Sequence, residues 1–147
     1  MKITKRDLER WKENTLALAK DMSLDENILI MLGNSPVEVI PKNSDSMFYG
    51  WAQYEPPKVK VYETNPSKYF PRKLWEVWNQ SGMDHELIGH IYNFYAGSKH
   101  DEHSARKTQV EMAEHRGKNS VLWRMAVAIE PMARKFQEYR NQVLYKI

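Results

Sequence analysis

Hydrophobic and polar positions alternate with a helical period at both ends of the chain and with a two-residue period in the middle. Leu8, Trp11, Leu18 and Met22 recur at near-helical spacing behind Thr4, and Thr4 with Asp7 forms a capping-box signal. A short second helix is predicted from the run 28–32, with Ser23 and Glu26 as its capping signal and Gly33 as its stop. The chain therefore opens with two helices.

The middle of the chain has the alternation and the punctuation of short strands. A first strand is predicted over 37–40, between Pro36 and Pro41, and two more over 47–54 and 58–64. The joint at 55–57 contains two prolines, which cannot continue a ladder, so the last two runs should be separate strands. We expect a short, mainly antiparallel sheet.

Helical periodicity returns after the turn at 65–66. A long helix, with 81–82 as a candidate break, should end near Gly97, and a second is predicted from about Ser104 to His115. A last helix should follow 119–120 and kink at Pro131. A chain of 147 residues fits one α+β domain over 1–147 with a core of its own.

The long helix carries the segment that points to chemistry, His85-Glu86-Leu87-Ile88-Gly89-His90. Two histidines four residues apart with a glutamate beside the first are typical of zinc peptidases. Here the spacing is five residues, which separates the side chains by about 140° on a regular helix. The sequence therefore predicts a π-bulge that brings both rings to one ion, with Gly89 as the place for it.

The third ligand should come from the polar segment or the helix that follows. Glu111 is the first choice, since a helix folded back on the motif helix would present it. Glu114 is next, and the imidazole alternatives are His115, His103 and His100. Three protein ligands and one open position suit a catalytic zinc ion, and the absence of cysteine leaves only nitrogen and oxygen donors. Glu86 would be the base that activates water, and His115 and Arg116 are the nearest candidates for stabilising the oxyanion.

These six residues resemble the His-Glu-x-x-Gly-His signature of the dipeptidyl peptidase III family. That family takes its third ligand from a Glu-Glu-x-x-Ala-Glu segment, where this chain has Gln109-Val110-Glu111-Met112-Ala113-Glu114. In size and layout the chain is similar to the minigluzincins, small zincins whose motif has the four-residue spacing and whose next helix supplies a glutamate ligand. The resemblance implies a small zincin-like fold and a zinc metallopeptidase acting on peptides or proteins.

Two other functions compete with this interpretation. Glu86 with His90 and Glu111 with His115 are both four residues apart, and such pairs on facing helices could hold iron or manganese. Alternatively, a zincin-like domain that has lost its metal could serve as an interaction module. Charged residues of both signs are interspersed around a net charge of +3, which does not favour nucleic acid as a partner. No segment predicts a membrane span or a secretory signal, so a cytoplasmic protein is expected.

Overall fold

The computed structural model describes residues 2–41, 50–63 and 71–128. The helices are α1 (Lys5–Asp21), α2 (Glu26–Gly33), α3 (Arg72–Met83), a π-helix (Asp84–Tyr92), the short α4 (Asn93–Tyr95) and α5 (Glu102–Gly117), and the strands are β1 (Val37–Ile40), β2 (Gly50–Gln53) and β3 (Lys58–Tyr62). Residues 121–128 are also helical. The structure therefore confirms an α+β fold, while a zincin-like arrangement stays a prediction.

The helix boundaries agree closely with the sequence pattern near the N-terminus. Thr4 caps α1, and the side chain of Asp7 completes the capping box that the sequence predicts. At α2 the predicted capping residue was wrong, because Asp25 rather than Ser23 accepts the N-terminal hydrogen bond. Ser23 instead has a positive φ of 61° in the turn between the two helices.

The sheet has the order β1-β3-β2, with β3 in the centre. β2 pairs with β3 antiparallel, as expected, but β1 pairs with β3 parallel, so the prediction of a mainly antiparallel sheet was wrong. β3 is flanked on both sides, and among the described strands β1 and β2 form the edges. Val59 and Val61, which the two-residue alternation of the sequence places on one face of β3, are fully buried.

The long predicted helix is continuous from α3 through the π-helix to α4, and α3 runs through 81–82 without a break. It ends at Tyr95, and Gly97 follows in the left-handed conformation with a φ of 73°. The core lies between α1, the sheet and the π-helix, whose apolar residues Leu87, Ile88 and Ile91 have almost no exposed surface. The π-helix, which carries His85 and His90, therefore runs through the middle of the core.

Two further observations concern the rest of the chain. The predicted kink at Pro131 and the first part of the predicted strand 47–54 lie outside the described residues. Among the helices that are described, none combines the length and the apolar character needed to cross a bilayer.

Candidate metal centre

The widened helix predicted from the histidine spacing is present. Asp84–Tyr92 forms a π-helix of nine residues, longer than the single bulge that the sequence predicts. Because a π-turn is closed by a hydrogen bond across five residues rather than four, it is wider than an α-turn, and His85 and His90 lie on the same side of the helix. Their Nε2 atoms are 3.2 Å apart, and their ring planes stand at 77°. The two imidazoles therefore converge, as the prediction required.

Gly89 has a different role from the one that the sequence suggested. A Cβ at this position would lie 2.9 Å from the Cα, the Cβ and the carbonyl oxygen of Ala105 on α5. Glycine is therefore needed because the π-helix and α5 approach each other closely at this point. This role is additional to the one predicted from the sequence, which concerned only the geometry of the π-turn. This contact brings the first turn of α5 against the turn of the π-helix that carries His90.

The close approach of the two helices places the side chain of Glu102, the first residue of α5, beside His85 and His90. Its Oε1 is 2.7 Å from Nε2 of His90 and 3.4 Å from Nε2 of His85, and its Oε2 is 3.3 Å from the latter. In a tetrahedral zinc site with bonds of about 2.0–2.1 Å, two ligand atoms are roughly 3.3 Å apart. His85, His90 and Glu102 are thus a group that could hold one metal ion, and within the described residues it is the one such group found.

Both histidines present Nε2 to this group because Nδ1 is engaged elsewhere. Nδ1 of His90 donates to the main-chain carbonyl of His100 at 2.6 Å, and Nδ1 of His85 lies 3.0 Å from Oε1 of Gln109. Metal-binding histidines commonly have such a second partner, which fixes the tautomer and the ring orientation. The arrangement therefore fits metal ligation better than it fits two unconnected buried histidines.

The electrostatics of the cluster are those of mutually stabilised opposite charges. Burial raises the pKa of Glu102, but hydrogen bonds and charges from His85 and His90 outweigh this and hold that pKa well below its usual range. Burial lowers the pKa of His90, yet its bond to Glu102 and the charge of Glu86 outweigh burial and raise the pKa. The carboxylate is therefore ionised, as a metal ligand must be.

Glu86 is a second carboxyl group in the same neighbourhood, with only 5% of its surface exposed. Burial raises its pKa, and the repulsion from Glu102 adds to this, while the charges of His85 and His90 act in the opposite direction. Glu86 directly follows His85 on the π-helix, and the charges of all three cluster members influence its pKa. A buried carboxyl group with a raised pKa suits the exchange of protons.

The other predicted ligands lie away from the cluster. Glu111, Glu114, His115 and His103 are all exposed on α5. Glu111 comes nine residues after Glu102, which at about 100° per residue places it roughly 180° around the helix. The structure therefore corrects the choice of third cluster member from Glu111 to Glu102, and it does not bring the Glu111 and His115 pair to face Glu86 and His90.

Arg116 and His100 also differ from their predicted roles. Arg116, a candidate for stabilising an oxyanion, is bound to the fully buried carboxylate of Asp84 through both terminal nitrogens. His100 contributes its main-chain carbonyl, and its ring contacts Tyr54 at 5.2 Å between centroids. Arg116 is thus committed to a structural ion pair.

Three residues of the site were missed from the sequence, namely Glu102, Gln109 and Tyr54. The capping signal at Asp101, whose side chain accepts from the backbone of Ser104, could have shown that α5 begins at Glu102 rather than Ser104. Tyr54 follows β2 and lines an open depression of about 520 Å³ beside His90 and the loop 97–101. Its hydroxyl lies 3.3 Å from Nδ1 of His90.

Comparisons with known proteins gave no relative. No family model matches the chain, and neither curated proteins nor solved structures show a significant match. The resemblance of the six-residue motif to a peptidase family consequently stays a prediction. The class of the candidate site rests on the geometry of the cluster alone.

Proposed function

We propose that this protein is a zinc-dependent peptidase, with one ion held by His85, His90 and Glu102 and with Glu86 as the general base. The observation that carries the proposal is the convergence of two imidazole nitrogens and a carboxylate oxygen, all within 3.4 Å of one another, beside a buried glutamate. This convergence is informative because it depends on the π-helix. A five-residue spacing would separate the two rings on a regular helix.

The donor set favours zinc over other common ions. Two imidazole nitrogens and one carboxylate oxygen are a typical catalytic zinc set, whereas magnesium and calcium prefer oxygen donors throughout. The Glu102 side chain is 38% exposed, against 12% for His85 and 9% for His90, so solvent and substrate reach the site from the side of Glu102. Zinc bound here would polarise a scissile carbonyl and lower the pKa of its water.

Glu86 would take a proton from the attacking water and pass it to the leaving amine. Its burial raises its pKa, which makes it a stronger base than an exposed glutamate and a competent acid afterwards. The edge strand β2 packs against the π-helix and is followed directly by Tyr54, which contacts His90. An extended substrate could pair with the edge of β2 that no described strand occupies and so pass along the site.

Metal binding is tested first, by measuring zinc content and affinity in purified protein. We expect one zinc per chain, with the affinity lowered more than about 100-fold in His90→Ala and Glu102→Ala, beyond the usual effect of losing an outer partner. Glu111→Ala is the matched control, because it removes an exposed carboxylate of the same helix outside the cluster and should leave the affinity unchanged. Equal losses in Glu102→Ala and Glu111→Ala would reject the assigned ligand set.

Peptidase activity is tested separately, with an unfolded protein as substrate. Glu86→Gln should retain zinc and lose about 100- to 10,000-fold in turnover, the usual contribution of a general base. Zinc binding without turnover in the unaltered protein would reject the peptidase and leave a metal-binding protein. Turnover that survives in Glu86→Gln would reject Glu86 as the base.

One observation favours a second candidate, the interaction module without metal. The 2.7 Å contact between His90 and Glu102 lets the cluster satisfy its own charges in the absence of an ion. A folded protein that binds no zinc, iron or manganese would select this alternative. Two ions of iron or manganese per chain would instead select the carboxylate-type site.

A further inference from the structure

Behind His85, on the side away from Glu102, lies a chain of buried polar side chains. Nδ1 of His85 contacts Oε1 of Gln109, and Nε2 of Gln109 donates to Oγ of Ser81. Ser81 is 1% exposed and Gln109 is 6% exposed, so water does not compete for these hydrogen bonds. The three residues come from α3, the π-helix and α5 and meet where the helices pack.

We propose that Gln109 is a positioning residue that selects which ring nitrogen of His85 faces the metal centre. The inference rests on the proposed function, since it concerns a ligand of the proposed ion. With its oxygen toward His85, the amide accepts the proton of Nδ1 and leaves the lone pair of Nε2 directed at the cluster. A neutral imidazole can bind an ion only through the nitrogen that carries no proton.

The direction of the amide is decisive because an amide has a donor end and an acceptor end. If the group turned over, its nitrogen would donate to Nδ1 of His85, and the ring proton would move to Nε2. His85 would then point a proton at the metal position. In the structure the amide nitrogen donates to Oγ of Ser81, and the amide oxygen therefore lies toward the ring.

The two histidines differ in this respect. His90 is held by the main-chain carbonyl of His100, which can only accept a hydrogen bond and so admits one tautomer. His85 is held by a side chain that could serve either tautomer. The capacity of the cluster to bind metal therefore depends on Gln109 in a way that has no counterpart at His90.

The test compares Gln109→Met, Gln109→Glu and the control Gln80→Met in the full chain. Methionine keeps the volume of the side chain but removes both ends of the amide, and glutamate can only accept from Nδ1. Gln80 is also buried and also loses hydrogen bonds, to the main chain of Trp11 and to Thr15, but it does not touch the cluster. Each variant is examined by nitrogen NMR of the His85 ring without metal, by zinc affinity and by thermal melting.

We expect His85 to carry its proton on Nδ1 in the unaltered protein and in Gln109→Glu. In Gln109→Met the Nε2-protonated form should appear, and zinc affinity should fall about 10- to 100-fold, the usual effect of losing an outer partner. Gln109→Glu should stay within about tenfold of the unaltered protein, and Gln80→Met should lose melting temperature without losing zinc affinity. A merely structural role for Gln109 would make the two methionine variants alike.

Two results would overturn the inference. One is an unaltered protein whose His85 carries its proton on Nε2, and the other is a Gln109→Met variant with unchanged tautomer and zinc affinity. The NMR measurement is made without metal, so it also decides the matter if the protein binds no zinc. Failure of the proposed function and failure of this inference are therefore distinguishable.

Discussion

Replacing Gly89 by alanine tests whether the contact between the π-helix and α5 builds the metal centre. The added Cβ would lie 2.9 Å from the backbone of Ala105, whereas ordinary contacts begin at 3.4 Å, so α5 must move by 3.4 minus 2.9, or 0.5 Å, at this point. The obstacle is backbone, which cannot rotate away. Glu102 lies one turn before Ala105 and must move with it.

The expected magnitudes follow from that displacement. Overpacking of this kind costs about 1–3 kcal/mol, against roughly 1 kcal/mol gained from the better helix propensity of alanine. A shift of 0.5 Å is also about a quarter of a zinc–oxygen bond. Gly89→Ala should therefore lower both the free energy of unfolding and the zinc affinity, the latter by about tenfold or more.

The assays are urea unfolding in the presence of a chelator and zinc competition with a chromophoric chelator. Gly33→Ala is the matched control, because a Cβ there meets only a side-chain methyl of Leu16 at an ordinary 3.9 Å. This control should be neutral or slightly stabilising and should not change zinc affinity. If the two glycine variants behave alike in both assays, the close approach at Gly89 does not position Glu102.

Four further predictions concern the frame and the charges of the site. Arg116→Met removes the cation paired with the fully buried Asp84, whose side chain keeps the hydrogen bond from Thr15, and should cost about 3–5 kcal/mol in urea unfolding, unlike the replacement of an exposed cation. The raised pKa of His90 means that a proton competes with the ion, so zinc affinity measured against pH should fall by up to about tenfold per unit below that pKa. Without metal, the pair that His90 forms with Glu102 should stabilise the protein fully between about pH 4.5 and 6.5. This stabilisation should be lost as the pH rises through the raised pKa of His90 or falls through the lowered pKa of Glu102. Thermal melting against pH, with Glu102→Gln as reference, would reveal or refute this dependence. Thr4→Ala removes the cap of α1 and should cost about 1 kcal/mol in urea unfolding while leaving zinc affinity unchanged; a matching loss of affinity would contradict a purely local role.

The sequence predicts the widened helix because the spacing of His85 and His90 is a local quantity. Converting five residues into an angle shows that a regular helix separates the rings, and only a wider turn reunites them. The boundaries of α1 and β1 are predictable for the same reason, since caps and prolines act on their neighbours. These features need no knowledge of how elements pack.

The third member of the cluster could not be chosen in this way. It depends on which face of α5 meets the π-helix. That face is set by the contact of Gly89 with Ala105, which lie far apart in the sequence. The helix was also expected to begin at Ser104, which left Glu102 in a loop. The parallel pairing of β1 with β3 could not be predicted for a similar reason, because strand direction within a sheet depends on the path of the intervening chain.

The short span of the donor set has a consequence for folding. His85 and Glu102 are 17 residues apart, and the helices that carry them form a hairpin closed by a short loop. Closing so small a loop loses little chain entropy, so the helical hairpin can form early in folding. An ion captured by the hairpin at that stage would accelerate folding as well as retard unfolding.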